Sequence, residues 1–106
     1  MATLRLTGPD DGSTLTVAPG DEVIVCLDET PTTGFRWELD VVDGPLEPTA
    51  DEREIAADAP PGAGSTRVFR FRATERGSGQ IALKNRRSWE GDASIVERFT
   101  VTVSVT

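Results

Sequence analysis

Over most of the chain apolar and polar residues alternate with a period of two, the spacing at which a strand puts one face on a core and the other in water. Phe35, Trp37, Leu39 and Val41 fall on one side and Arg36, Glu38 and Asp40 on the other, which predicts a strand over Phe35–Val42. Thr66–Thr74 repeats the pattern, with Phe69, Phe71 and Ala73 inward and Arg70, Arg72 and Thr74 outward. Gln80–Arg86, with Ile81 and Leu83 inward, is expected to pair back through a hairpin at Arg76-Gly77-Ser78-Gly79. A long final strand carries Ile95, Glu97, Phe99, Val101, Val103 and Val105 on one face, and Glu97 interrupts that face near its start, at the rim. Toward the N-terminus, Thr3–Thr7 and Thr14–Val17 read as short strands separated by the dense turn signal Gly8-Pro9-Asp10-Asp11-Gly12. Val23-Ile24-Val25-Cys26-Leu27 is apolar on both faces, which predicts a central, buried strand.

Between Asp43 and Ser65 the period is lost among Pro45, Pro48, Pro60, Pro61, Gly62 and Gly64. Asp51–Ala57 has the length of two helical turns, but the flanking prolines and weak apolar stripe favour a short edge strand around Glu52–Ile55. Seven or eight short strands with turn signals between them predict one all-β domain over residues 1–106. The expected fold is an immunoglobulin-like antiparallel β-sandwich, with Trp37 on a central strand filling the space between sheets.

Composition adds mostly exclusions. The 106 residues suffice to bury roughly 60–65% of the surface of the extended chain. A formal charge of −7 disfavours nucleic acid and anionic membrane as partners, since Lys84 and ten scattered arginines face eighteen carboxylates. The chain has no His, the usual base and metal ligand near neutral pH. Its one Cys, Cys26, lies in an apolar strand and reads as an inert core thiol. Nothing in the first residues forms a signal peptide and no stretch reaches membrane-spanning length. As written the chain is expected in the cytoplasm, or in the periplasm or outside the cell if a leader has been trimmed away. A monomer without cofactor is expected.

An enzyme lacks its parts. Nucleophilic catalysis sets a Ser, Cys or Thr beside a base, and here only a carboxylate or Lys84 is available for that role. A carboxylate pair for glycoside hydrolysis needs a cleft deeper than so small a sandwich offers. Asp10-Asp11 and Asp51-Glu52 read as solvated surface more readily than as calcium ligands. Gly62-Ala63-Gly64 lacks the Lys-Ser/Thr pair and the following helix of a phosphate loop. Binding through loops remains, with three irregular stretches at Thr30–Gly34, Pro60–Ser65 and Arg86–Asp92. In the first, Pro31 fixes φ, Gly34 permits the swing into the next strand, and Thr32 and Thr33 are stiff at χ1. The second has small residues that let backbone lie close to a partner. Trp89, beside Arg86 and Arg87, reads equally as an interface anchor and as a ring folded back to cap the sandwich.

Pro31-Thr32-Thr33-Gly34-Phe35 followed by Trp37 resembles the Asn-Pro-Thr-Thr-Gly-Tyr-x-Trp signature of the chagasin family, protein inhibitors of papain-like cysteine peptidases. Gly62-Ala63-Gly64-Ser65 before Val68-Phe69-Arg70-Phe71 is similar to that family's Gly-x-Gly-Gly loop and the strand after it. Arg87-Ser88-Trp89, then Glu97-Arg98-Phe99-Thr100-Val101, resembles its Arg-Pro-Trp loop and closing strand. Thr30 stands in place of Asn, Ser65 in place of the last Gly and Ser88 in place of Pro.

The resemblance implies a reversible, competitive, tight-binding inhibitor in which Thr30, Pro31, Thr32, Thr33 and Gly34, with Gly62, Ala63, Gly64 and Ser65 and with Arg87, Ser88 and Trp89, occlude the cleft of a papain-family peptidase. Thr32 and Thr33 would lie against the catalytic Cys–His pair and Trp89 on an aromatic rim. Two rival readings are a β-sandwich adhesion or accessory module that has lost inhibition and a small carboxylate-based hydrolase.

Overall fold

A computed structural model describes residues 2–29, 35–54, 65–87 and 97–106. Their strands are β1 (Thr3–Leu6), β2 (Thr14–Val17), β3 (Glu22–Glu29), β4 (Phe35–Val42), β5 (Leu46–Glu54), β6 (Ser65–Ala73), β7 (Gly77–Arg87) and β8 (Glu97–Val105), with one 3-10 turn at Gly8–Asp10. They form two four-stranded sheets, β1-β3-β6-β5 and β2-β8-β7-β4. The inward residues of both sheets interlock in one core that includes Val23, Val25 and Leu27 of β3, Phe69 and Phe71 of β6, Ile81 and Leu83 of β7, and Phe99 to Val105 at alternate positions of β8. The all-β sandwich is therefore present, with eight strands among the described residues.

Four details differ from the reading of the sequence. Two pairings are parallel, β1 with β3 and β2 with β8. The 3-10 turn between β1 and β2 takes the chain from one sheet to the other, Thr7 N–H donating to Asp10 Oδ2 at 2.9 Å to close it. The first seventeen residues thus add an outer strand to each sheet and fasten the two together.

β6 and β7 do not form a hairpin, because residues 74–76 carry the chain between sheets and β7 pairs with β4 and β8. Of the glycines that suggested a turn, Gly79 serves a close approach instead, and Gly44 faces it. A Cβ on Gly79 would collide with the backbone carbonyl of Asp43, and one on Gly44 with that of Ser78.

β4 is an edge strand and not a central one, although Trp37 is buried as expected, 3% exposed. A bulge at Asp40 shifts its register between Leu39 and Val41, so that Leu39 pairs with Leu83 and Val42 with Ile81. The inward series breaks after Leu39, turning Val41 outward and putting Val42 against the core, while Leu39 itself stays opposite Leu83 at the open edge of the sandwich.

β5 is the expected edge strand but a longer one, starting at Leu46, with an irregularity between Pro48 and Ala50. Pro48 is tolerated because an edge strand needs only one of its two rows of backbone donors. Ile55 and Ile95 lie outside the described residues. Glu97 is exposed at the first position of β8, at the rim as expected.

The two poles of the sandwich differ. At one, Asp21 accepts from the amides of Ala2 and Ala18 at 2.8 Å each, and Thr106 N–H donates to Val17 O. Both ends of the chain are therefore gathered there. The connections after β3, β5 and β7 leave from the other.

Candidate functional site

Register shows why those three connections share a pole. In the first sheet Glu29, the last residue of β3, pairs with Ser65, the first of β6, and Glu54, the last of β5, pairs with Thr66. In the second sheet Phe35, the first of β4, pairs with Arg87, the last of β7, and Asn85 pairs with Glu97, the first of β8. The sheets are joined at this end by Trp37, whose Nε1 donates to Asp28 O at 2.9 Å and whose backbone N–H donates to Glu29 Oε2 at 2.8 Å. All six strand ends that flank residues 30–34, 55–64 and 88–96 thus meet at one end of the molecule.

Of the residues assigned to binding from sequence, Thr30, Pro31, Thr32, Thr33, Gly34, Gly62, Ala63, Gly64, Ser88 and Trp89 lie outside the described residues. Two lie within them. Arg87 ends β7, and Ser65 opens β6 as a buried residue whose hydroxyl donates to Glu29 O at 3.4 Å. Ser65 pins the foot of the second connection to the foot of the first.

Near this pole the inner faces turn polar. The inward series Val23, Val25, Leu27 ends at Glu29, whose side chain has no exposed surface. The series Ala73, Phe71, Phe69 ends at Arg67 and Ser65. Arg67 Nη1 donates to Glu29 Oε2 at 3.4 Å, and Arg67 Nη2 to Asp51 Oδ2 on β5 at 2.8 Å. Its guanidinium lies over the Phe69 ring, 5.3 Å from the centroid. The hydrogen bond to Asp51, then the nearby charges of Asp51 and Glu29, raise the pKa of Arg67 while partial burial works against them. Asn85, in register with both Trp37 and Glu97, is buried as well, its side-chain oxygen without a hydrogen-bond partner among the described residues.

Sequence reading missed Glu29 and Arg67. The signal was there in strand parity: each continues an apolar alternation by one more step, so a charged side chain was due on the inner face.

A rigid sandwich that collects three strand connections at one pole, away from both chain ends, is the scaffold of a protein that acts by presenting loops. This chain belongs to the chagasin family: the family model described as "Chagasin family peptidase inhibitor I42" matches residues 16–103. It is a peptidase inhibitor and not an enzyme. Among its relatives is chagasin of Trypanosoma cruzi, 34% identical over 102 residues, covering 92% of this chain and 93% of the relative. Amoebiasin-1 of Entamoeba histolytica is 31% identical over 105 residues, covering 96% and 99%. The crystal structure of the cysteine protease inhibitor EhICP2 from Entamoeba histolytica has the same fold, with TM-score 0.87 and 24% identity over 100% of this chain and 97% of that one.

Proposed function

We propose that this inhibitor is reversible and competitive, and that residues 30–34, 62–65 and 87–89 enter the active-site cleft of a papain-like cysteine peptidase as one wedge. The observation that supports the reading is the convergence of the six strand ends at one pole, joined across the sheets by Trp37. The target class follows from the resemblance of Pro31-Thr32-Thr33-Gly34-Phe35 and Trp37 to the family signature. Thr32 and Thr33 fill the space before the catalytic Cys–His pair but bring no acid or base of their own. A loop held at both feet does not relax into the near-attack geometry that peptide cleavage requires, so the inhibitor survives in the cleft. Affinity then derives from loops already in shape before contact, which lowers the ordering cost of association.

Steady-state inhibition of papain tests the reading. A rise in apparent KM at constant kcat, with an inhibition constant in roughly the nanomolar range of preorganised inhibitor complexes, is the expected result. Folded protein that leaves papain fully active at micromolar concentration refutes it.

A further inference from the structure

We infer that Glu29 is a positioning residue for the inhibitory face: its buried carboxylate fixes the feet of the first two loops relative to one another through Trp37, Arg67 and Asp51. This rests on the three-loop reading above and adds a residue to it that touches no peptidase.

A carboxylate taken wholly out of water is costly, and replacing a buried ion pair by apolar side chains is often neutral or stabilising. Stability alone therefore gives little reason for Glu29 at the end of an inward series of Val23, Val25 and Leu27. Geometry gives one. Glu29 Oε2 accepts from Trp37 N–H at 2.8 Å, across the first connection, and from Arg67 Nη1 at 3.4 Å. The Glu29 carbonyl accepts from Ser65, just past the second connection. Arg67 in turn grips Asp51 with Nε and Nη2, three residues before β5 ends. One residue thus reaches three other strands whose ends carry those loops: β4 and β6 directly, and β5 through a two-pronged guanidinium–carboxylate contact of the kind that adds direction as well as energy.

The arrangement has a functional consequence. Trp37 is clasped twice, by Asp28 O on its ring and by Glu29 on its backbone, so a gap of set width separates the end of β3 from the start of β4. The same carboxylate sets where β6 begins relative to that gap. Loss of the charge leaves the fold in place but lets the two feet drift independently, which appears as faster dissociation of the bound peptidase.

The test is Glu29→Gln, which keeps the size of the side chain and one acceptor for Trp37 N–H but removes the charge facing Arg67. The expected result is an inhibition constant against papain weaker by about tenfold, the loss carried by one hydrogen bond to a charged group, mostly in the dissociation rate. Combined with Arg67→Gln the loss should be less than additive, because both changes break one link. Combined with Trp89→Ala it should be additive. Asp51→Asn, at an exposed edge position, gives a milder version should the buried variant fold poorly.

A Glu29→Gln protein that inhibits as tightly as the parent overturns the inference and leaves the inhibitor reading intact. So does a variant whose thermal midpoint falls while its inhibition constant, measured below that midpoint, is unchanged. A parent protein that fails to inhibit papain refutes the three-loop reading itself.

Discussion

Trp37 joins core and clasp in one residue: the indole fills space between the sheets, its ring N–H donates to Asp28 O, and the backbone N–H donates to Glu29 Oε2. Trp37→Ala is expected to cost about 3–5 kcal/mol, the range for removing a buried aromatic, which guanidinium unfolding measures as a lower midpoint at unchanged slope. Trp37→Phe keeps most of the volume but leaves Asp28 O without its indole donor, and about 1 kcal/mol of the loss should appear there. The burial of Trp37 was legible from alternation alone. Its partners were not, since period two says which face a residue takes and nothing about what lies across the gap. Leu39 and Val41 show the other limit. Alternation placed both inward; one bulged residue, Asp40, turned Val41 to the surface, while Leu39, still opposite Leu83, is left part-open because β4 is an edge strand. A bulge leaves no mark in an apolar–polar pattern until pairing is known.

Among the elements, the corner where residues 43–44 meet the start of β7 is the most constrained. Asp43 N–H donates to Gln80 O at 3.1 Å, and Asp43 Oδ1 accepts from Gln80 N–H at 2.7 Å. Gly44 holds φ +70° and, like Gly79, has backbone where a Cβ would go. Gly79→Ala should therefore destabilise by about 1–3 kcal/mol, as overpacking does, with the loss visible in thermal unfolding. Sequence reading took Gly77 and Gly79 for a hairpin because a glycine needed for close approach looks the same as one needed for a turn.

At the same pole Asp21 accepts from Ala2 and Ala18, and those hydrogen bonds, Ala18 first, hold its pKa below the usual carboxylate value. Its contribution to stability is complete above the unfolded-state value of roughly 3.9 and fades as pH falls through the lower folded value. Comparing Asp21→Asn with the parent by urea unfolding across this range should show a gap near neutrality that closes in strong acid.

For the molecule as a whole, sequence carried the proposed site as three separate motifs, and the fold as a count of strands. That the strand ends flanking those motifs meet at one pole was not readable, because it depends on which strands pair, and here residues as distant as Val17 and Val105 lie side by side. Local pattern carries no information on such pairings, nor on the two parallel ones. Trp89→Ala bears on the assembled face: it should weaken papain inhibition by about 1–3 kcal/mol, as loss of an interface anchor does, with the thermal midpoint unmoved. A large fall in the midpoint instead marks the ring as a cap on the core.

The gathering of residues 2 and 106 at the blunt end has a practical corollary. A dye, a resin bead or a second folded module tethered beside residue 2 or residue 106 lies at the pole remote from the strand ends that flank residues 30–34, 55–64 and 88–96. On the proposed three-loop reading this leaves the inhibitory face uncovered for use as an affinity reagent.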